Sequence, residues 1–215
     1  TADQTTRIDP SVSNLIDTFL LTRDYDTQFR KYLADSTGVK PLPPSSDNLY
    51  TSFSREINKI KSISDEVIYH PVTYKVLFGD KAETTLQARF KVVKNPDIPI
   101  NDNQIKSQII NYINLFFSLD NWDFGDTFYF QELATYIISN MTPQVLSIVL
   151  VPVDARQSFG SMFEVKAEND EILISGATVN DIDIISSNTA SQLKADGNIE
   201  VSSETNTGIS SGGSY

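Results

Sequence analysis

The stretch Val145–Val153 (VLSIVLVPV) is almost continuously apolar. A run of that length reads as a strand covered on both faces, which commits the chain to a sheet with other layers packed on it. Its nearest upstream neighbours supply such layers. Asn101 is a strong cap, with Gln104 three residues on, and Ile105, Ile109, Tyr112, Ile113 and Phe116 follow at helical spacing. A second helix is predicted over Phe130–Asn140, where Phe130, Leu133, Ala134, Ile137 and Ile138 share one face. With 215 residues, 40% of them hydrophobic, the chain is long enough to bury a core around these elements.

The first half adds more of both kinds. Asn14–Thr22 (NLIDTFLLT) fits either a helix or a strand, because both spacings are present. Asp24–Ala34 reads as a helix with Tyr25, Phe29, Tyr32 and Leu33 inward and Gly38 as its stop. The prolines of Pro41–Ser46 mark an extended linker. A helix follows from about Asn48 to Lys61, with Leu49, Phe53, Ile57 and Ile60 on one face and Ser46 or Asp47 as cap. Val67–Phe78 reads as one strand with Pro71 at an edge or bulge. Leu86, Ala88, Phe90 and Val92 alternate as a second, and Gly79-Asp80-Lys81 predicts an antiparallel hairpin between the two. The expected class is α+β: a mixed or antiparallel sheet with helices packed on one face, plus a small C-terminal β segment and an extended tail.

Charge and composition divide the chain into three zones. Residues 1–153 carry 14 basic and 18 acidic side chains, residues 154–215 carry 3 and 10, and no proline follows Pro152. This predicts an α+β body over 1–153, a small acidic β segment over 154–186, and a polar tail over 187–215. In the acidic segment Phe163 and Val165 face Ile172 and Ile174 as a short hairpin, and a strand-like run follows over Val179–Ile185. Ser, Thr, Asn and Gly make up 17 of the last 29 residues, too little apolar surface to order the tail by itself. Its sparse aliphatic residues Ile199, Val201 and Ile209 suit strand addition to a neighbour. With Trp122 and Phe124 they are the candidate protein-interface residues.

Most catalytic and metal chemistries lack their residues here. With no Cys there is no disulfide or thiolate metal site, and His70 is the only histidine. His70 lies inside a strand, no G-x-S-x-G elbow accompanies it, and Ser161 after Gly160 does not make one, so its expected role is structural. Asp120–Asp126 (DNWDFGD) resembles a calcium loop only briefly: its third and fifth positions would be Trp122 and Phe124, which offer no oxygen. It reads as an aromatic turn in which Gly125 adopts a conformation closed to other residues. Glu164, Glu168, Asp170, Glu171, Asp181 and Asp183 read as a solvated or interfacial acidic face before they read as a cation site. No phosphate-cradling glycine motif occurs. Asn140-Met141-Thr142 matches a glycosylation sequon without a secretory signal beside it. No catalytic, cofactor or metal residue is therefore expected. The net charge of -11 argues against nucleic acid as a partner, and no window approaches about 18 consecutive apolar residues that would cross a membrane.

Several blocks in order carry a family resemblance. They are Asn14–Thr22, Ser62–Glu66 (SISDE), Phe78–Ala82 (FGDKA), Asp102–Lys106 (DNQIK), Trp122–Glu132 (WDFGDTFYFQE), Val149–Pro152, Phe159-Gly160 and Val179–Ile184 (VNDIDI). Together they resemble the C-terminal part of the large baseplate wedge protein of T-even-type contractile-tailed bacteriophages, related to the baseplate J-like family. The resemblance covers about residues 8–186 and none of the tail. It implies a strand at Leu15–Thr22 and, with the absence of an initiator Met, a piece of a longer protein. It carries over no catalytic residue.

The resulting expectation is a non-enzymatic structural protein of the virion tail baseplate, assembled in the host cytoplasm. Its partners would be a second copy of itself, in a homodimer or ring contact, and other baseplate wedge subunits, with no cofactor and no small-molecule substrate. The alternative is a hydrolase of cell-wall polysaccharide. That requires two carboxylates about 5–10 Å apart in a cleft, and Asp120, Asp123, Asp126 and Glu132, with aromatics beside them, are the candidates.

Overall fold

A computed structural model describes residues 14–63, 65–153, 164–189 and 192–193. Along the chain they form β1 (Asn14–Leu20), α1 (Arg23–Ala34), α2 (Ser46–Ile57), β2 (Asp65–Pro71), β3 (Thr73–Leu77), β4 (Ala88–Lys94), α3 (Asp102–Phe116), β5 (Thr127–Tyr129), α4 (Phe130–Met141), β6 (Val145–Pro152), β7 (Glu164–Lys166), β8 (Glu171–Ser175) and β9 (Ile182–Ile185). The class is α+β. Local chemistry explains the helix starts. Thr22 accepts from the Tyr25 amide at 3.4 Å, Ser45 from Asn48 at 3.3 Å, and Asn101 from Asn103 at 2.8 Å.

The core forms where β4 runs between β6, antiparallel to it, and β9, parallel to it. Ala88, Phe90 and Val92 leave β4 on one face, opposite Leu150 and Ile148 of β6. Against that face lie Ile105, Ile109 and Ile113 of α3 and Leu133, Ile137 and Met141 of α4, all buried. The remaining strands pair as β1 with β2 (parallel), β3 with β8 (parallel) and β5 with β7 (antiparallel).

Four expectations are corrected. First, Val67–Phe78 is two strands, and the hairpin with 86–92 does not form. Pro71 offers no amide, the Val72 amide goes to Leu20 O at 3.0 Å, and beyond that point the chain pairs with β8. Phe78 and Gly79 then both take positive φ, 64° and 68°, and the returning chain meets β3 through one backbone bond, from the Phe78 amide to Leu86 O at 3.0 Å, without forming a ladder. A Cβ on Gly79 would stand 2.1 Å from Gly176 O, so no other residue fits that approach.

Second, the acidic segment does not stand beside the body as a hairpin. Phe163 lies outside the described residues, Val165 pairs with Phe128, and Ile172 and Ile174 pair with Tyr74 and Val76. Ile172, Leu173 and Ile174 are all buried, which a two-stranded surface hairpin could not provide. β7, β8 and β9 thus complete ladders begun by residues before 153.

Third, β6 is an edge strand, and only part of it is covered. Ser147 pairs with Val93 but Val145 pairs with Lys94, which leaves Leu146 as the extra residue of a β-bulge, 55% exposed. Fourth, α2 stops at Ile57. The amides of Lys59 and Ile60 turn back to Glu56 O and Ile57 O, three residues away, and that tightening leaves Ile60 85% exposed. The first element, open between helix and strand on spacing alone, is a strand.

Candidate functional site

The turn between α3 and α4 brings together more chemistry than any other described segment. Trp122 packs with its ring on Phe117, centroids 5.3 Å apart at 18°, and meets Phe116 edge-on at 5.6 Å. Its indole N–H donates to Phe116 O at 2.7 Å. Asn121 donates its side-chain amide to Leu115 O at 2.9 Å. Gly125, with φ of 77°, lets the loop double back so that Asp126 Oδ2 accepts from the Asp123 amide at 2.8 Å. The aromatic-turn reading of Asp120–Asp126 is therefore what forms.

Between this turn and α4 lies a cleft of about 450 Å³. Phe116, Trp122 and Tyr136 form its apolar walls, and Asn121, Asp126, Thr127 and Glu132 its polar lining. Glu132 and Tyr136 are one helical turn apart on α4, and thus share a face. Of the candidate interface pair, Trp122 is half-buried in the cleft wall, whereas Phe124 is 39% exposed and lines no part of it. Of the four hydrolase candidates, Asp126 and Glu132 line the cleft; Asp120 and Asp123 do not. Ile199, Val201 and Ile209 lie outside the described residues.

The other sequence candidates have structural partners. His70 Nε2 meets Asp17 Oδ1 at 2.8 Å across the β1–β2 ladder, and its ring stacks on Phe19 at 4.9 Å. The acidic cluster is dispersed: Glu171 pairs with Lys75 at 3.0 Å, Asp183 with Lys91 at 2.8 Å, and Asp181 caps the turn at Thr178. Lys91 is otherwise buried, so Asp183, its direct register partner on β9, neutralises a charge inside the sheet. Among the described residues no group of three or more acidic or histidine side chains is arranged to hold a metal ion. Asn140 of the sequon donates its side-chain amide to Tyr136 O at 2.8 Å.

A second cluster is purely a packing device. Tyr74 donates its hydroxyl to Asp26 Oδ1, which also takes Arg30 Nε at 2.7 Å. Burial first, and the Asp26 carboxylate second, hold the Tyr74 phenol well above its usual range. The cleft beside it, about 350 Å³, is lined by Lys40, Lys75 and Lys81, but each is engaged: Lys40 and Lys81 over the rings of Phe29 and Tyr32, Lys75 with Glu171.

What the sequence reading missed is a half-covered sheet with exposed aliphatic residues. β1 and β2 pair in register, so Leu15, Asp17 and Phe19 share one face with Glu66, Ile68 and His70. The opposite face holds Tyr69, which meets Tyr50 of α2 edge-on at 5.7 Å. Among the described residues no helix covers the first face, where Leu15 is 62% and Ile68 40% exposed, although Phe19 at its inner end packs against the edge of the core. The alternation of Leu15, Asp17 and Phe19 could have signalled a two-faced strand; which face lies open could not be read from it.

No protein-family model matches the sequence, and no characterised protein matches it.

Proposed function

We propose that this chain is a structural component of a contractile-tail baseplate wedge, whose work is to bind a second copy of itself and other wedge subunits. The observation that carries this reading is the open β1–β2 face. Parallel strands are normally covered on both sides, and two strands alone are marginal in water. Leu15 and Ile68 are exposed beside the Asp17–His70 pair on a face where a covering layer is lacking among the described residues. A patch of that kind on an otherwise well-packed body marks a protein-interaction surface. The ordered sequence blocks from Asn14 to Ile184 supply the identity of the assembly, and the rigid α3–α4 body supplies a fixed geometry from which to present it.

In this reading the chain is not an enzyme. Of the four hydrolase candidates only Asp126 and Glu132 line the cleft, and Asp126 already spends a lone pair on the Asp123 amide, so the hydrolase alternative has the weaker support. Specific interfaces bury about 1,600 Å² in total. Light scattering at micromolar concentration, with pull-down against the remaining wedge subunits, tests the proposal. Association through a contact that Leu15→Asp abolishes is expected. A strict monomer that binds none of the subunits overturns it.

A further inference from the structure

The cleft between the α3–α4 turn and α4 has a one-sided chemistry. Its amide and indole donors are spent internally: Trp122 Nε1 on Phe116 O, and the Asn121 amide nitrogen on Leu115 O. What faces the cleft is mostly acceptor. The Asn121 carbonyl oxygen and the Glu132 carboxylate have no partner among the described residues, and Asp126 retains lone pairs beyond the one that takes the Asp123 amide. The Thr127 and Tyr136 hydroxyls can serve either way. No basic side chain lines the cleft, yet two carboxylates and three aromatic rings do. Aromatic faces attract cations within about 6 Å, and carboxylates add charge-assisted hydrogen bonds.

We propose that this cleft binds the guanidinium group of an arginine presented by a partner polypeptide. A planar, five-donor cation matches both features at once, stacking on a ring while its fork reaches the carboxylate. An ammonium would satisfy the charge but not the stacked plane. A sugar would bring as many acceptors as donors and meet few donors in return. The net charge of -11 adds a long-range attraction for a basic segment. The inference is independent of self-association through β1–β2: a monomeric chain would still bind arginine here, and loss of arginine binding would leave the β1–β2 contact intact.

The chain's single tryptophan lies in the cleft wall, so its fluorescence reports this site alone. The probe is the blocked tripeptide acetyl-Gly-Arg-Gly-amide, with its neutral isostere carrying citrulline and with a chitin oligosaccharide as controls. A saturable change with a dissociation constant of order ~1 mM is expected for the arginine peptide. Citrulline should weaken it about tenfold, the loss of one charge-assisted contact. Glu132→Gln should weaken the arginine peptide by a similar factor; Glu132 is exposed on α4, so its replacement keeps the fold. Equal responses to arginine and citrulline overturn the proposal, as does an unaltered affinity in Glu132→Gln. A saturable response only to the oligosaccharide, or to no probe, overturns it as well.

Discussion

The sheet around β4 and the sheet of β1 and β2 are built from the same residue types and end in opposite states. On α3, Ile105, Ile109 and Ile113 are fully buried against Phe90 and Val92, and Phe78 reaches into the same core to meet Phe90, Phe117 and Phe128 edge-on. On β1 and β2, Leu15 and Ile68 are exposed at 62% and 40%, while Phe19, partly buried, packs against the edge of the core and stacks on His70. One helix, α2, covers one side of the second sheet. Helices α3 and α4 and the β3–β8 and β5–β7 pairs share one core with the first. Aliphatic content therefore does not separate core from surface here; the number of layers available does. The enclosed sheet sets the shape, and the half-covered one retains apolar area for a contact.

The largest effect should come from attacking the enclosed region. Phe78→Ala removes a fully buried ring from the aromatic cluster and is expected to cost about 4 kcal/mol in urea unfolding. Gly79→Ala beside it, at positive φ and against Gly176 O, should also destabilise strongly. If either proved neutral, the enclosed sheet would not be the stabilising half.

A middle-sized effect belongs to the cluster under α1. Tyr74→Phe removes the bond to Asp26 and should cost about 1–2 kcal/mol at neutral pH. Its pH dependence has a definite sign. The folded state holds the Tyr74 phenol above its ordinary value, so it favours the protonated form. That contribution is fully present below about pH 10, the unfolded value, and is lost as pH rises toward the folded one. Tyr25, raised by the same burial, acts in the same direction. Alkaline unfolding scans should show a shallower decline in Tyr74→Phe than in the parent chain.

The smallest stability effect is expected on the open face. Leu15→Thr combined with Ile68→Thr should change unfolding free energy by no more than about 1 kcal/mol each, since Thr suits a strand and adds no charge beside Glu66 or Asp17. Association measured by light scattering should nonetheless fall at least about tenfold. A large loss of stability instead would mean that these residues complete the fold, and the contrast between the two sheets would collapse.

Much of the local structure was legible. The cap at Asn101, the stripe of Ile105, Ile109 and Ile113, and the left-handed Gly125 all follow from interactions within a few residues. The strands were found but wrongly partnered. Glycine and turn residues at 79–81 suggested a hairpin because adjacency in sequence favours it; pairing with β8, which buries Ile172, Leu173 and Ile174, took β3 instead. The cleft was half legible: Asp126 and Glu132 were singled out as hydrolase candidates and Trp122 as an interface residue. Asn121 and Tyr136 were not, because their place in it depends on how the turn packs on α4.

By itself, then, the sequence determined helices α1 to α4 and most of the longer strands, and it removed thiol chemistry and histidine-rich sites by omission. Both are properties of residues and their near neighbours. The tertiary structure decided which strands meet, that the acidic segment neutralises Lys75 and Lys91 inside the body, and which apolar face stays open. Those outcomes rest on contacts between residues some 90 positions apart, as between Lys91 and Asp183, where the gain from burial and pairing is set by competition among all possible partners and by no local pattern.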